Sequence, residues 1–449
     1  MAGLFHQLTF SDWRWHDVKG NILTVAILLV LWNPSSWKRF ALFLVVDWIA
    51  VAWTLPIHAN HVLFSWFVNG TLLAALAITV YRDKGISDEN LPSKWYAAFA
   101  PWVRVELCLL YFFTVFHKLN LTYFNPDLSC GSQLYVELND RLPLFPVADW
   151  AKYLAIYGTL IIETGIPLLL LFRRTRIAAV IIGLFFHALL AIHQHAGLFS
   201  FSATMTAFYV SFLPVSLAEA LKPKFDILKP WRLVLSILAV VMIICSLSKW
   251  LPSGLLLQEI IKEHLTIGFY IYFIYFAVIV TLFFRTLRQG VDLKRPEGSW
   301  KTHPLLIAFP LLAFVNGFGP YIGLKTQTSF SMFSNLHTEN GVTNHLIVPS
   351  GIQITNWQYD IVEIIDSNDP HLLYARDEGM DVVFLDLRRT RSSIKIDLWV
   401  TFRRNGKVET FDMTRPETHN TIPVMNLLEK RYFLFRPVER DPLKCRCKH

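Results

Sequence analysis

The sequence predicts a polytopic α-helical membrane protein of about nine to ten spans with a C-terminal, mostly β domain outside the membrane. Three observations predict this fold. The 449 residues are 53% apolar and only 17% charged, and the mean hydropathy of +0.39 is too high for a soluble protein. Apolar runs of spanning length recur up to residue 320. Residues 321–449 then change to a mixed polar and β-branched composition.

The first segment, residues 1–20, predicts a short helix at the membrane interface. It contains Trp13, Arg14, Trp15 and Lys19, a mixture of aromatic and basic residues typical of that position. It has no small-residue cleavage site, so a removed signal peptide is not expected. The following apolar runs predict the spans of a bundle over residues 20–320, at 20–33, 39–57, 61–81, 97–116, 153–172, 177–197, 198–214, 231–251, 267–285 and 304–320.

Basic residues orient this bundle. In a ten-span arrangement five basic loops fall on one side, which the positive-inside rule makes cytoplasmic; they lie at 38–39, 82–94, 173–176, 222–229 and 285–295. Arg14 and Lys19 conflict with this orientation, because they fall on the outer side. The N-terminus, the loop 117–152 and residues 321–449 then lie outside the cytoplasm. The net charge of +8 is explained by this orientation, so the expected partner is the lipid bilayer and not nucleic acid.

The C-terminal domain, residues 321–449, shows strand and turn patterns. Apolar and polar residues alternate over 394–400, and Asn405-Gly406 before residues 408–411 predicts a hairpin with a type I′ turn. Residues 361–365 and 382–387 predict further strands, and residues 425–435 predict a helix. The five cysteines form no recognisable disulfide framework. Cys445 and Cys447 are expected in a frayed tail, with metal binding or a disulfide as the alternatives.

The stretch 111–135 organises the candidate site, because an apolar run ends there in His117 and Lys118 and passes into a polar loop. A lysine in this position has two interpretations. In an apolar environment, burial lowers the pKa of an amine and allows it to accept a proton. At a wet interface, the lysine stays a cation that reaches lipid headgroups.

Several other polar residues belong to predicted spans or their outer ends. His61, His193 and His195 lie at outer ends, where polar residues gather in any membrane protein. His187 lies deeper, about 12 Å from the outer end of its span, and must face protein or a wet cavity. Glu163, near the middle of the preceding span, has two interpretations: a structural ion pair between helices, or a place beside a cavity with His187. The His193-x-His195 spacing is too weak to predict a metal site.

Three stretches resemble the transmembrane part of the vitamin K-dependent gamma-carboxylase family, also called the horizontally transferred transmembrane (HTTM) domain. They are Asn60-His61, the Phe-His-Lys-Leu-Asn run at 116–120, and residues 186–214 from Phe-His to Leu-Pro. The likeness covers about residues 10–290, and residues 323–341 resemble the tail of bacterial members. This resemblance implies a short bacterial-type member in the inner membrane.

The resemblance also implies a chemistry. In that family, a lysine matching Lys118 deprotonates a reduced quinone of the vitamin K type. Oxygen then yields a stronger base, which removes a proton from a glutamate γ-carbon before CO2 adds. His187 and His61 are implied as catalytic support. The implied substrate-binding residues are Asn60, His117, Asn120, Glu163, His193 and His195.

Two functions therefore stand as alternatives. The first is a carboxylase-like membrane enzyme that uses a reduced quinone or another lipid-soluble small molecule at an outward-facing site, with Lys118 as base and no metal. The second is a non-catalytic membrane scaffold or transporter, in which Lys118 is an anchor and the outer domain binds a protein partner.

Overall fold

The computed structural model describes residues 2–9, 18–56, 59–143, 146–193, 198–214, single positions between 216 and 237, 264–290, 303–393, 397–441 and 447. Contacts divide the chain into two compact units. Unit 1 comprises Met1–Thr54, His61–Leu109 and Thr164–Leu312, and unit 2 comprises Leu55–Asn60, Leu110–Glu163 and Ala313–His449.

Helices dominate the chain before residue 320, as the apolar runs predict. A helix occupies each predicted run except 231–251, which lies almost wholly outside the described residues. The helices are α1 (Ala2–Thr9), α2 (Val18–Trp32), α3 (Trp37–Thr54), α4 (Asn60–Arg82), α5 (Leu91–Lys118), α6 (Cys130–Arg141), α7 (Asp149–Leu171), α8 (Arg176–Ala191), α9 (Leu198–Tyr209), α10 (His264–Leu287) and α11 (Ala308–Phe318).

Four of these helices are long and apolar enough to cross a membrane. They are α4, α5, α7 and the part of α10 from Gly268 to Leu287. Further apolar helices are shorter, including Arg176–Ala191 and Pro304–Phe318. Length and composition therefore support a membrane protein, while the predicted number of spans stays a prediction.

In unit 1, the N-terminal helix α1 packs inside the bundle. Leu4 and Phe5 are buried, and the Phe5 ring meets Phe199 of α9 and Tyr272 of α10 at centroid distances of 6.1 and 5.6 Å. This beginning of the predicted interfacial segment is thus covered by protein, because its apolar residues fill a gap between helices. Residues 10–17, with Trp13, Arg14 and Trp15, lie outside the described part of the chain.

The C-terminal part of unit 2 contains a five-stranded antiparallel sheet. Its strands are ordered β4-β3-β1-β2-β5, from β1 (Ile361–Ser367), β2 (Met380–Val383), β3 (Trp399–Arg404), β4 (Lys407–Asp412) and β5 (Val438–Glu439). The predicted turn is confirmed, with Asn405 and Gly406 at φ values of 51° and 76° between β3 and β4. Such left-handed conformations are what a type I′ turn requires. The first strand was predicted at 394–400 but begins at Trp399, and residues 394–396 lie outside the described part of the chain.

Other predictions for this domain need correction. The predicted strand 382–387 ends at Val383, and helix α13 (Phe384–Ser393) begins at the next residue. A continuous apolar run does not distinguish a strand from a buried helix by its period. Two more helices share the domain, α12 (Pro370–Asp377) and α14 (Leu427–Tyr432), the latter within the predicted helix 425–435. The domain is therefore mixed, and less purely β than predicted.

A disulfide joins Cys130, at the start of α6, to Cys447 near the end of the chain. Cys447 was expected in a frayed tail. Its pairing with Cys130 was not predicted, because the two cysteines are 317 residues apart. The bond packs with Tyr123 and Ile156 in a small apolar cluster. Disulfides persist in oxidising compartments, and the outer location of the loop 117–152 and the C-terminal domain stays a prediction.

Candidate functional site

The central feature of unit 2 is a buried ion pair between Lys118 and Glu163. The Lys118 Nζ donates a hydrogen bond to the Glu163 Oε2, and the two side chains are only 5% and 12% exposed. The same Nζ lies 5.9 Å from the centroid of the Tyr123 ring, a distance at which the ring face attracts a cation. The amine therefore points into the protein, not outward as an anchor would.

Tyr123 forms the third member of this cluster. Its side chain is fully buried, and both burial and the nearby Glu163 carboxylate raise its pKa well above the ordinary value. The phenol thus stays protonated next to the pair. Gly131 allows this packing, because a Cβ there would come within 3.1 Å of the Tyr123 Oη and 3.3 Å of the Ile156 Cα.

Glu163 has a different partner from the one expected. The short connection between α7 and α8 suggested a cavity shared by Glu163 and His187. In the structure the carboxylate instead pairs with Lys118, 45 residues earlier in the chain. Two buried ionisable groups of opposite charge on separate helices require partners, but sequence spacing does not say which.

Asn60 and His117 both bind a polar segment, defined as residues 326–341. The Asn60 Oδ1 accepts the backbone N–H of Phe330 at 2.7 Å. The His117 Nε2 lies 3.0 Å from the Ser329 carbonyl and its Nδ1 lies 2.8 Å from the Tyr321 hydroxyl. Because a carbonyl only accepts, Nε2 carries the proton, and a neutral His117 accepts from Tyr321 at Nδ1.

Asn120 also holds this polar segment. Its Nδ2 donates to the Ser334 carbonyl at 2.6 Å and to the His117 carbonyl at 2.8 Å, and its Oδ1 accepts from the Tyr123 N–H at 2.9 Å. The three predicted substrate-binding residues Asn60, His117 and Asn120 thus make structural bonds within unit 2. They place the polar segment beside the helix end that carries Lys118.

The polar segment has an unusual backbone. Thr328, Phe330, Phe333, Asn335 and Asn340 all have φ values between 52° and 62°, a left-handed conformation that costs non-glycine residues free energy. Such a conformation persists only where surrounding bonds hold it. Sequence reasoning singled out this stretch for its resemblance but assigned it no structural role, and its dense Ser, Thr and Asn content was the available signal.

The predicted histidines of unit 1 gather around one aromatic ring. The His61 Nε2 lies 3.3 Å from the Ser200 hydroxyl, and the His187 carbonyl accepts from the Ser202 hydroxyl at 2.7 Å. The Phe201 ring lies 5.9 Å from the His61 ring and 5.0 Å from the His187 ring, centroid to centroid. His61 and His187 are therefore neighbours within unit 1.

The other predicted histidines differ in their placement. His193 is buried after the end of α8, whereas His195 lies outside the described residues. Sequence reasoning missed His6, whose ring lies 5.7 Å from the His61 ring. A histidine within an N-terminal helix of ordinary composition offered no signal for this contact.

Unit 1 also encloses a cavity of about 400 Å³. Side chains of α1 to α5 and α9 line it, most of them apolar, and its polar groups include His6 and His61. Asp47 also faces it, with its Oδ2 accepting from the Asn69 Nδ2 at 2.7 Å. A mostly apolar cavity of this size with a few polar groups is typical of a small-molecule site.

Among the described residues, no group of three or more His, Cys, Asp or Glu side chains is arranged to hold a metal ion. The chemistry available in the cluster of Lys118, Glu163 and Tyr123 is that of a buried amine, a carboxylate and a phenol. Comparison of the chain with protein-family models, curated proteins and solved structures finds no match.

Proposed function

We propose that this chain is an integral membrane enzyme that removes a proton from a lipid-soluble substrate, with Lys118 as the base. The observation that carries the proposal is the buried Lys118–Glu163 pair. Ionised side chains inside a membrane protein are costly and commonly mark a functional site. A pair used only for anchoring would gain nothing from being hidden from water and headgroups.

The Lys118–Glu163 pair offers a lysine base a group that can accept its proton. An amine accepts a proton only in its neutral form, so the proposal requires that Lys118 first pass a proton to Glu163 across their hydrogen bond. The substrate proton then moves to the Lys118 Nζ, and the new ammonium group is stabilised by the face of the Tyr123 ring. The Tyr123 phenol keeps its own proton because its pKa is raised, so it does not compete as a base.

A reduced quinone fits the residues of unit 1. The cavity there has the volume and apolar lining for a ring of that size, and His6 and His61 offer ring nitrogens to a polar group. We propose this cavity as a binding site in its own right, because Lys118 is not among the residues that line it. His187 packs against Phe201 and Tyr209. We propose that it supports His61, whose ring also contacts Phe201.

The test uses the purified protein in nanodiscs with reduced menaquinone, oxygen and carbon-14-labelled CO2. Wild type should consume reduced quinone faster than empty nanodiscs, and Lys118→Met and Lys118→Arg should lose this activity, because a guanidinium stays charged. The matched control is Lys152→Arg, since Lys152 forms exposed pairs with Asp127 and Asp149. Incorporation of label into an added glutamate peptide would identify carboxylation.

Two results would overturn the proposal. One is full turnover by Lys118→Arg, which would mean that a permanent cation suffices at this position. The other is quinone consumption by wild type no faster than by empty nanodiscs, which would favour the scaffold or transporter. Thermal unfolding of each variant, and assay below its melting temperature, distinguishes a lost activity from a lost fold.

A further inference from the structure

An exposed apolar loop runs through residues 342–354 of unit 2, and we call it the apolar loop. Leu346, Ile347 and Ile354 are 53%, 64% and 71% exposed. From residue 341 to residue 359 the sequence has no Asp, Glu, Lys or Arg. Soluble surfaces rarely present contiguous apolar side chains without charges among them, and such patches mark an interaction site.

The apolar loop is fixed to the chain that follows α5. The Leu346 N–H donates to the Leu119 carbonyl at 2.9 Å, and the Leu121 N–H donates to the Asn344 carbonyl at 3.1 Å. The His345 Nε2 lies 2.8 Å from the Phe116 carbonyl. The exposed side chains are therefore held in place beside the last turn of a helix that can cross a membrane.

Aromatic packing extends this connection to α11. The Phe116 ring meets the His345 ring at 4.7 Å and the Tyr321 ring at 5.5 Å, centroid to centroid. Tyr321 in turn packs on Phe318, the last residue of α11, at 5.4 Å. Two apolar helices thus end against the base of the apolar loop.

Exposed apolar side chains lie on those helices as well as on the loop. Phe112 on α5 is 49% exposed, and Phe314 on α11 is 41% exposed. Leu121, next to the loop, is 55% exposed. Exposed apolar side chains therefore occur on both helices, in the chain after α5 and in the apolar loop that is bonded to it.

We infer that the apolar loop inserts into the outer half of the lipid bilayer and holds the C-terminal domain against the membrane. The inference rests on the membrane-spanning role proposed for α5. Lipid fits better than a protein partner, because the loop is bonded to the chain directly after α5, a helix long and apolar enough to cross a membrane. Because the loop carries no Lys or Arg, its side chains suit the acyl-chain boundary more than anionic headgroups.

The experiment is photolabelling of the whole protein in nanodiscs that contain a phospholipid with a diazirine in its acyl chain, followed by peptide mass spectrometry. Leu346, Ile347 and Ile354 should be labelled to the same degree as Phe112. The internal control is Val408 on β4, which is 58% exposed but belongs to the sheet, and it should stay unlabelled.

The outcomes separate this inference from the proposal on which it rests. If Phe112 is labelled but the apolar loop is labelled no more than Val408, the inference is wrong. The exposed surface would then fit a protein partner. Unlabelled Phe112 would mean that α5 does not contact lipid, and both the membrane role and the inference would fail. Ile347→Asp should reduce labelling of the loop while that of Phe112 is retained.

Discussion

Lys118 ends α5, Glu163 lies within α7, and their side chains form an ion pair with 5% and 12% exposure. Desolvating two charges is expensive, and their attraction offsets this cost only while both partners are present. The pair therefore adds little to stability as a whole, but each of the two groups needs the other. Single and double variants of the pair can separate these two effects.

Removing one partner of this pair should destabilise the protein more than removing both. Lys118→Met leaves the Glu163 carboxylate buried without a cation and should cost about 3–5 kcal/mol of the free energy of unfolding. The double variant Lys118→Met/Glu163→Leu should recover most of that loss. Thermal unfolding in detergent measures both effects.

The matched control for this prediction is Lys152→Met. Lys152 pairs with Asp127, whose side chain is 75% exposed, and surface pairs of this kind contribute little to stability because water screens them. Equal destabilisation by Lys118→Met and Lys152→Met would contradict the interior placement of the Lys118 pair.

The bond from Asn60 to Phe330 should control the order of the polar segment. Asn60→Ala leaves the buried Phe330 N–H without its acceptor, at a cost of about 1–3 kcal/mol. Since Phe330 has a φ of 62°, losing this bond also releases a strained backbone. Hydrogen exchange of peptides covering residues 326–336 should become faster.

Asn125→Ala is the comparison for this experiment. Asn125 is exposed, and its Oδ1 accepts from the N–H of Asp127 within the same turn. Its substitution should leave exchange in the polar segment unchanged. Identical exchange in wild type and Asn60→Ala would show that other bonds suffice to hold the segment.

The disulfide between Cys130 and Cys447 should stabilise unit 2. Cys447→Ser should lower the free energy of unfolding by about 2–5 kcal/mol, because the bond restricts the unfolded chain. Cys108→Ser is the control, since Cys108 is free. Peptide mapping without reductant should recover the Cys130–Cys447 link, and a Cys130–Cys445 link would contradict the assignment.

Much of the helical pattern could be predicted from the sequence, because spanning length and apolar composition are local properties. The hairpin at Asn405-Gly406 was predictable for the same reason, since turn chemistry is local. The pattern of apolar residues did not predict the change from strand to helix at Phe384. A continuous apolar run does not show whether it belongs to a strand or to a buried helix.

The candidate site was less predictable, because its pairings are distant in sequence. The resemblance pointed to Lys118, but nothing local identified Glu163 as its partner or Cys447 as the partner of Cys130. Asn60 and His117 were expected to bind substrate. Their bonds to Phe330 and Ser329 form only because the chain after α11 folds back to Asn60 and His117. Contacts of this kind are set by tertiary structure alone.

Lys325 should make stability depend on pH in alkaline solution. Its Nζ donates to the Thr328 Oγ1 at 3.3 Å, and burial lowers its pKa from 10.5 to about 7. Between these two values the unfolded chain holds the lysine proton and the folded protein does not, so stability rises with pH. Below pH 7 both states are protonated, and the cost of burying the charge is fully present.

Lys325→Met removes that charge and should therefore melt at a higher temperature than wild type at pH 7. The difference between the two melting temperatures should narrow as the pH rises toward 10, because wild type then folds with a neutral amine. Lys407→Met, at an exposed position beside the hairpin turn, should show no such trend. A difference that stays constant from pH 7 to pH 10 would mean that Lys325 is charged in the folded protein, and its contact with Thr328 would then be that of an ordinary ammonium group.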